Sequence, residues 1–302
     1  MKKTLFVCII AIASIFFTCS VNTLFAQEIV TKISNGEIEE VKALLAKGVN
    51  PNTKIHNETI LAISINGKFP EITTLLINAK GIKLNEWNIL TQPERSWKYT
   101  ALMKAVKFSD VVKQLLDKNV LIDLQDDWIL WDGKLHESGG NTALMLAVGA
   151  PNFTYTESAK LLIDKGAKIN IQNKLGYTAL MLGVHNTEIS KILIDKGADI
   201  NAQDGNGTTP LMYAVQKMTP LKALIAKGAD VNIQNKNGET ALMHAVKGGL
   251  LKVILGGIPV VGGHMDAVKL LISKGADVNL QDTWGKTALM HAAGGVNALG
   301  NK

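Results

Sequence analysis

Cysteine is nearly absent from this chain of 302 residues: Cys8 and Cys19 are the two it has, and both lie within the first 26 residues. Beyond that segment there is no disulfide framework, no thiolate metal site and no cysteine nucleophile. A domain without cross-links in an oxidising compartment must be stable through packing alone. Concentrated charge of one sign is also missing. The formal net charge of +6 is modest for the length, and the repeated lysines Lys47, Lys165, Lys196, Lys227 and Lys274 each stand alone, just before a Gly. A cation in the last turn of a helix favours the negative end of the helix dipole, and the Gly beyond it supplies a left-handed cap. Helix ends therefore account for these lysines, and nucleic-acid binding is not expected.

Catalytic and metal-binding motifs are lacking too. There is no phosphate-binding loop ending in Gly-Lys-Ser/Thr and no His-Glu-x-x-His helix. Asp204 to Thr208 has a faint likeness to a calcium loop, but Val215 stands where a bidentate Glu is needed. His244 and His291 occupy equivalent positions in consecutive repeats with no evident third ligand, and His56, His136, His185 and His264 are scattered. No catalytic residue, metal ion or cofactor is expected, and the chain does not read as an enzyme.

The one sustained apolar run is N-terminal. Lys2 and Lys3 precede Leu5 to Phe17, and polar residues lead to small Ala26. The run is short for a spanning helix, so residues 1–26 read as an export signal cleaved near Ala26, with a mature start near Gln27 in the periplasm or outside the cell. Leu24 at the −3 position leaves an uncleaved anchor open, and Cys19 leaves lipid attachment open, although Phe16-Phe17-Thr18 is a poor match to the small-residue box for lipidation.

What the chain does have is repetition. Thr59, Thr100, Thr142, Thr178, Thr209, Thr240 and Thr287 each open a short apolar segment. Three copies run from Thr178-Ala-Leu-Met to Lys196-Gly-Ala-Asp-Ile-Asn201, from Thr209-Pro-Leu-Met to Lys227-Gly-Ala-Asp-Val-Asn232, and from Thr240-Ala-Leu-Met to Lys274-Gly-Ala-Asp-Val-Asn279. In the first of these the Thr178 hydroxyl caps one helix with Leu180, Met181 and Val184 on its apolar stripe, and a second helix carries Ile189, Ile192 and Leu193. Asp199 to Thr208, rich in Asn, Asp and Gly, reads as a β-hairpin leading to the next copy.

A Thr-x-Leu opening and a Gly-Ala-Asp-Val-Asn ending in units of roughly 33 residues resemble the ankyrin repeat. The resemblance implies an all-α repeat solenoid of stacked helix-turn-helix units joined by β-hairpin loops, about eight in number, with the first and last incomplete. The repeat domain would span residues 27–293, with a Gly-rich tail over 294–302 and a half repeat closing the stack. The family usually has His three residues after the Thr; here Met103, Met145, Met181, Met212, Met243 and Met290 stand there, which reads as core filling.

Three insertions interrupt the pattern. Residues 86–99 bring Trp87, Trp97 and Tyr99, and residues 126–140 bring Trp128 and Trp131; as hairpin insertions of successive repeats they should lie side by side. The aromatic side chains are either exposed anchors for a partner or a satellite core. The third, residues 248–263, is apolar and Gly-rich and falls between the two helices of one repeat. It either covers adjacent helix ends or acts as a membrane-touching or docking loop through Leu250 to Val261.

The resemblance also implies a concave protein-binding face. Its expected hairpin tips are Leu175, Tyr177, Asn206, Lys236, Asn237, Glu239, Trp284 and Lys286. Its expected outward helix positions are Lys104, Leu146, Leu182, Tyr213, His244 and His291. The function expected is a monomeric, exported, non-enzymatic scaffold for another protein, the runner-up a membrane-surface protein held by its N-terminus and the apolar loop.

Overall fold

A computed structural model describes residues 24–65, 69–92, 95–130, 139–149, 155–254 and 264–297. The chain, expected as one repeat domain, divides into two compact units at residues 137 and 138, within the second insertion.

The N-terminal unit begins with α1, whose described part covers residues 24–35, and α2, Ile38–Ala46. Ala26, Ile29 and Ile33 of α1 are buried, and its described part includes residues 24–26 of the segment expected to be the leader. A small ribbon follows, β1 (Lys54–Ile55) with β2 (Glu58–Thr59), and then the pair α3 (Ile60–Ile65) and α4 (Pro70–Ile77). The first insertion forms the antiparallel strands β3 (Asn88–Gln92) and β4 (Arg95–Tyr99). A second pair, α5 (Ala101–Ala105) and α6 (Ser109–Leu116), precedes β5 (Asp127–Leu130) of the second insertion, which pairs antiparallel with β4. The two insertions, expected as neighbouring hairpins, thus meet in one three-stranded sheet.

The C-terminal unit is a run of helices: α7 (Ala143–Val148), α8 (Thr156–Asp164), α9 (Ala179–Gly183), α10 (Thr187–Asp195), α11 (Pro210–Ala214), α12 (Met218–Ala226), α13 (Ala241–Ile254), α14 (Met265–Ser273) and α15 (Ala288–Asn297). First helices pack on first helices (α7, α9, α11, α13, α15) and second on second (α8, α10, α12, α14). Five-residue helices such as α9 and α11 cannot hold their shape alone, because helix nucleation is unfavourable. They persist because a cap fixes one end and neighbours bury one side.

All seven repeat threonines act as that cap. The Oγ1 of Thr59, Thr100, Thr142, Thr178, Thr209, Thr240 and Thr287 accepts a hydrogen bond from the backbone N–H three residues on, at 3.1–3.4 Å. Each such cap stabilises a helix by about 1 kcal/mol. Five of the six methionines at the donor position are buried; Met290 is the exception at 53% exposed, beside Leu289 at 75%. The last repeat has no second helix among the described residues, so the side that covers the other methionines has no counterpart there.

Three further expectations change. On α10 the buried stripe is Ile189, Ser190, Leu193 and Ile194, while Ile192 is half-buried: the stripe is set by contact with both α9 and α12, and turns away from Ile192. The segments linking repeats in the C-terminal unit contain no strand among the described residues. Each turn closes through one backbone bond between residues four apart, such as Asp204 N–H to Thr208 O at 3.1 Å, because buried Asn and Asp side chains do the rest of the bonding. Finally, Gly248-Gly249 does not end the first helix of its repeat. Helix α13 runs through it to Ile254, the good helix formers Leu250, Leu251 and Lys252 outweighing the cost of about 1 kcal/mol per helical Gly. Residues 255–263, the rest of the apolar insertion, lie outside the described residues. No described helix is long and apolar enough to cross a membrane.

Candidate functional site

Within the C-terminal unit, four turns repeat one construction. Asn173, Asp204, Asn235 and Asp282 are buried, and in each the side-chain Oδ1 accepts from the backbone N–H groups two and four residues on, at 2.8–3.0 Å. Such a side chain substitutes for a strand ladder and locks the turn. Neighbouring turns are then tied tip to tip: Gly205 N–H donates to Leu175 O at 2.7 Å, Lys236 to Asn206 at 2.8 Å, and Thr283 to Asn237 at 2.9 Å. Gln172, Gln203 and Gln234 reinforce this, each donating through Nε2 to a carbonyl of its own turn and to one of the next. The approach is close enough to require glycine. Gly176 has φ +79°, and a Cβ there would stand 2.5 Å from the Gly205 nitrogen.

The outward positions of the first helices close onto these turns. Tyr213 of α11 donates its hydroxyl to Asp204 Oδ2 at 2.6 Å, and the Tyr177 oxygen is 3.3 Å away, with the two rings tilted and 6.0 Å apart. Burial raises the Tyr213 pKa, and the Asp204 hydrogen bond raises it further. His291 of α15 is hydrogen-bonded to Asp282 Oδ2 at 2.6 Å. His244 of α13 faces Glu239 Oε2 at 3.4 Å and the Asn235 amide at 3.5 Å. Burial pushes the His244 pKa down, Glu239 opposes that shift, and Lys247 adds to it. Lys247 also hydrogen-bonds Glu239 and lies 4.0 Å from Asp282 Oδ2. Burial works against the Glu239 carboxylate, yet its bonds from Lys247 and Asn235 prevail and hold its pKa below the ordinary value. The expected outward positions of this unit are therefore half-buried: Tyr213, His244 and His291 form a polar seam with the turns, and Leu146 and Leu182 are the apolar members of the row.

Trp284 differs from the rest. It sits on the last of the four turns, 67% exposed, while its backbone N–H is held by Asp282 Oδ1 at 2.9 Å. Leu175, on the first of them, is also exposed.

In the N-terminal unit the aromatic insertions pack on each other. Trp97 stacks on Tyr99 with ring centroids 4.2 Å apart and donates its indole N–H to Asp126 Oδ2 at 3.1 Å. It stands directly opposite Trp128 in the β4–β5 register. Tyr99, expected among partner contacts, is 0% exposed and donates its hydroxyl to Glu58, so it has no surface to offer a partner. Lys104, expected outward, is buried as well, with Nζ 2.7 Å from Glu58 Oε1 and 3.0 Å from the Tyr99 oxygen. Burial lowers its pKa, against the pull of Glu58. Trp87 is half-buried under the Lys98 ammonium, 4.9 Å from the ring centre. Trp131 and the Trp128 side chain lie outside the described residues.

No group of three or more His, Cys, Asp or Glu side chains that could hold a metal occurs among the described residues. The turns and the seam together form an edge locked by hydrogen bonds from one repeat to the next. Sequence models of ankyrin repeats match residues 84–173, 127–204 and 144–235, and a second such model matches 260–297. The chain belongs to the ankyrin-repeat family. Ankyrin repeats generally mediate protein–protein interaction. No curated protein matches the chain at a significant level.

One set of residues within these ankyrin repeats carries a role that the sequence reading did not assign. The Asn four residues after the helix-ending Gly48, Gly166 and Gly228 clamps its repeat to the next, and Asn201, after Gly197, makes the acceptor half of the same contact. Asn170 donates to Gly197 O at 3.1 Å and accepts from Asp199 N–H at 2.9 Å; Asn232 does the same to Gly275 at 3.1 Å and Asp277 at 2.8 Å. Asn52 repeats the arrangement on Gly81 and Lys83 in the N-terminal unit. The signal was available as invariant spacing within the chain, as it was for the buried Asn and Asp of the turns.

Proposed function

We propose that this ankyrin-repeat chain is an exported, non-enzymatic scaffold of about eight repeats that binds another protein along the turn edge and the adjoining first-helix seam of its C-terminal unit. The observation that carries this reading is the locked row of four turns with Trp284 projecting from a fixed backbone. A surface already ordered loses little conformational entropy on docking, so contact energy is kept as affinity. Export is supported by Lys2, Lys3 and the apolar stretch Leu5 to Phe17, with cleavage near Ala26. Cleavage there would leave Ile29 and Ile33 to anchor α1.

Two measurements test the reading. N-terminal sequencing of the protein from a fractionated Gram-negative-type host should give a start near Gln27 in the periplasm; an intact N-terminus in the membrane fraction would replace export by anchoring. Cross-linking from a photoreactive residue placed at Asn206 or Trp284 should join the chain to another protein, whereas the same residue at exposed Lys222, on α12, should not. Equal yields from both placements would remove the turn edge from the binding surface.

A further inference from the structure

This inference rests on the turn edge of the C-terminal unit being a partner-binding surface, and adds the chemistry of the partner. Charge along that edge is sorted by direction. Its three carboxylates are turned inward and engaged. Asp204 meets Tyr213, Asp282 meets His291, and Glu239 is held by Lys247 and Asn235. Across residues 173–177, 204–208, 235–239 and 282–286 no Asp or Glu is exposed, whereas Lys174, Lys236 and Lys286 all are. Lys236 and Lys286 make no ion pair among the described residues. Alongside, the exposed Lys217 adds a fourth cation, and the exposed His185, whose pKa is lowered by burial and then by Lys217, adds no negative charge. The edge therefore shows a partner cations, apolar groups and neutral polar groups such as Asn206 and Asn237, but no exposed carboxylate, although its composition is mixed.

We propose that this edge binds an acidic, extended segment of a protein partner, with carboxylates on Lys236 and Lys286 and an apolar side chain against Trp284. Spacing supports a polypeptide. Packed helices stand about 8–10 Å apart, so lysines on adjacent turns are separated by roughly that distance and those two turns apart by roughly twice as much. An extended chain advances about 3.3 Å per residue, which places matching acidic residues about three and six positions apart. Nucleic acid is a poorer match, since a single strand brings one phosphate per roughly 3.4 Å and these turns hold far fewer cations than that.

The test uses the full chain and defined polymers: a random Glu-Tyr copolymer, poly-Glu, a Lys-Tyr copolymer and a single-stranded oligonucleotide of equal length. Binding is read by fluorescence anisotropy of labelled polymer. The Glu-Tyr copolymer should bind best, about tenfold better than poly-Glu because Tyr can pack on Trp284, and its affinity should fall with salt. K236E/K286E and W284A should each weaken it by about tenfold while the far-ultraviolet circular dichroism is unchanged. Binding unaffected by either variant, equal binding of the Lys-Tyr copolymer, preferential binding of the oligonucleotide, or no binding of any probe would overturn the proposal. Should cross-linking from the turns still join the chain to a protein in those cases, the partner-binding reading stands and only the acidic chemistry of the partner falls.

Discussion

His291 and Asp282 are nine residues apart in sequence, one on a first helix and one at the root of a turn, yet the imidazole Nε2 lies 2.6 Å from the carboxylate. The same offset joins Tyr213 to Asp204 and brings His244 within 3.5 Å of Asn235. A helix side chain pinning the turn before it is thus a repeated device of this unit, and it fixes which charges face outward.

That seam gives the fold a pH dependence of definite sign. His244 binds its proton less readily in the folded chain than at its ordinary value of 6.5, because of burial and Lys247. The unfolded chain therefore takes up more protons as pH falls below about 6.5, and stability should decline across that window. Glu239 and Asp282, held below their ordinary values of 4.5 and 3.8, add stability above those values that is lost as pH falls through their lower folded values. Urea unfolding from pH 7.5 down to about 3 should show both declines, and His244→Gln should reduce the earlier one, His185 keeping a share of it, while leaving the later one.

The Asn clamp is directly measurable. Asn232→Ala deletes a donor to Gly275 O and an acceptor for Asp277 N–H at an exposed site where water competes. A loss of about 1 kcal/mol in urea unfolding is expected. Hydrogen exchange should rise at Asp277 before it rises in α11.

Tryptophans on the two units should behave oppositely. Trp97→Ala removes a ring stacked on Tyr99 and bonded to Asp126, and should cost about 2 kcal/mol or more. Trp284→Ala removes an exposed ring and should change stability by no more than about 0.5 kcal/mol. Denaturant titration of both variants separates a packing role from a contact role.

Glu58 and Lys104 form a buried pair whose two members are not equivalent. Glu58→Gln leaves the Lys104 ammonium without its counter-charge and should cost about 3 kcal/mol. Lys104→Met keeps the bulk without the charge and should cost much less, Glu58 being the more exposed partner. A double-mutant cycle read by thermal unfolding gives the coupling between them.

The sequence by itself determined the repeat, its seven Thr caps and its methionine core, because these depend on contacts within one unit or between units of the same pattern. A hydroxyl three residues before a backbone N–H, or an apolar residue on every fourth position, declares its role locally. The juxtaposition of the two aromatic insertions was also legible, since insertions at one repeat position must fall on one edge. Only tertiary structure decided what those aromatics do. Whether Trp97 and Tyr99 face outward or stack depends on the register of β4 against β5, and a shift of one residue would reverse every side chain. The same holds for the turn edge: Asp282, Trp284 and Lys286 are equally polar or bulky on paper, and it is the hydrogen bonds to the Asp282 carboxylate that bury the acid and leave the tryptophan and lysine exposed.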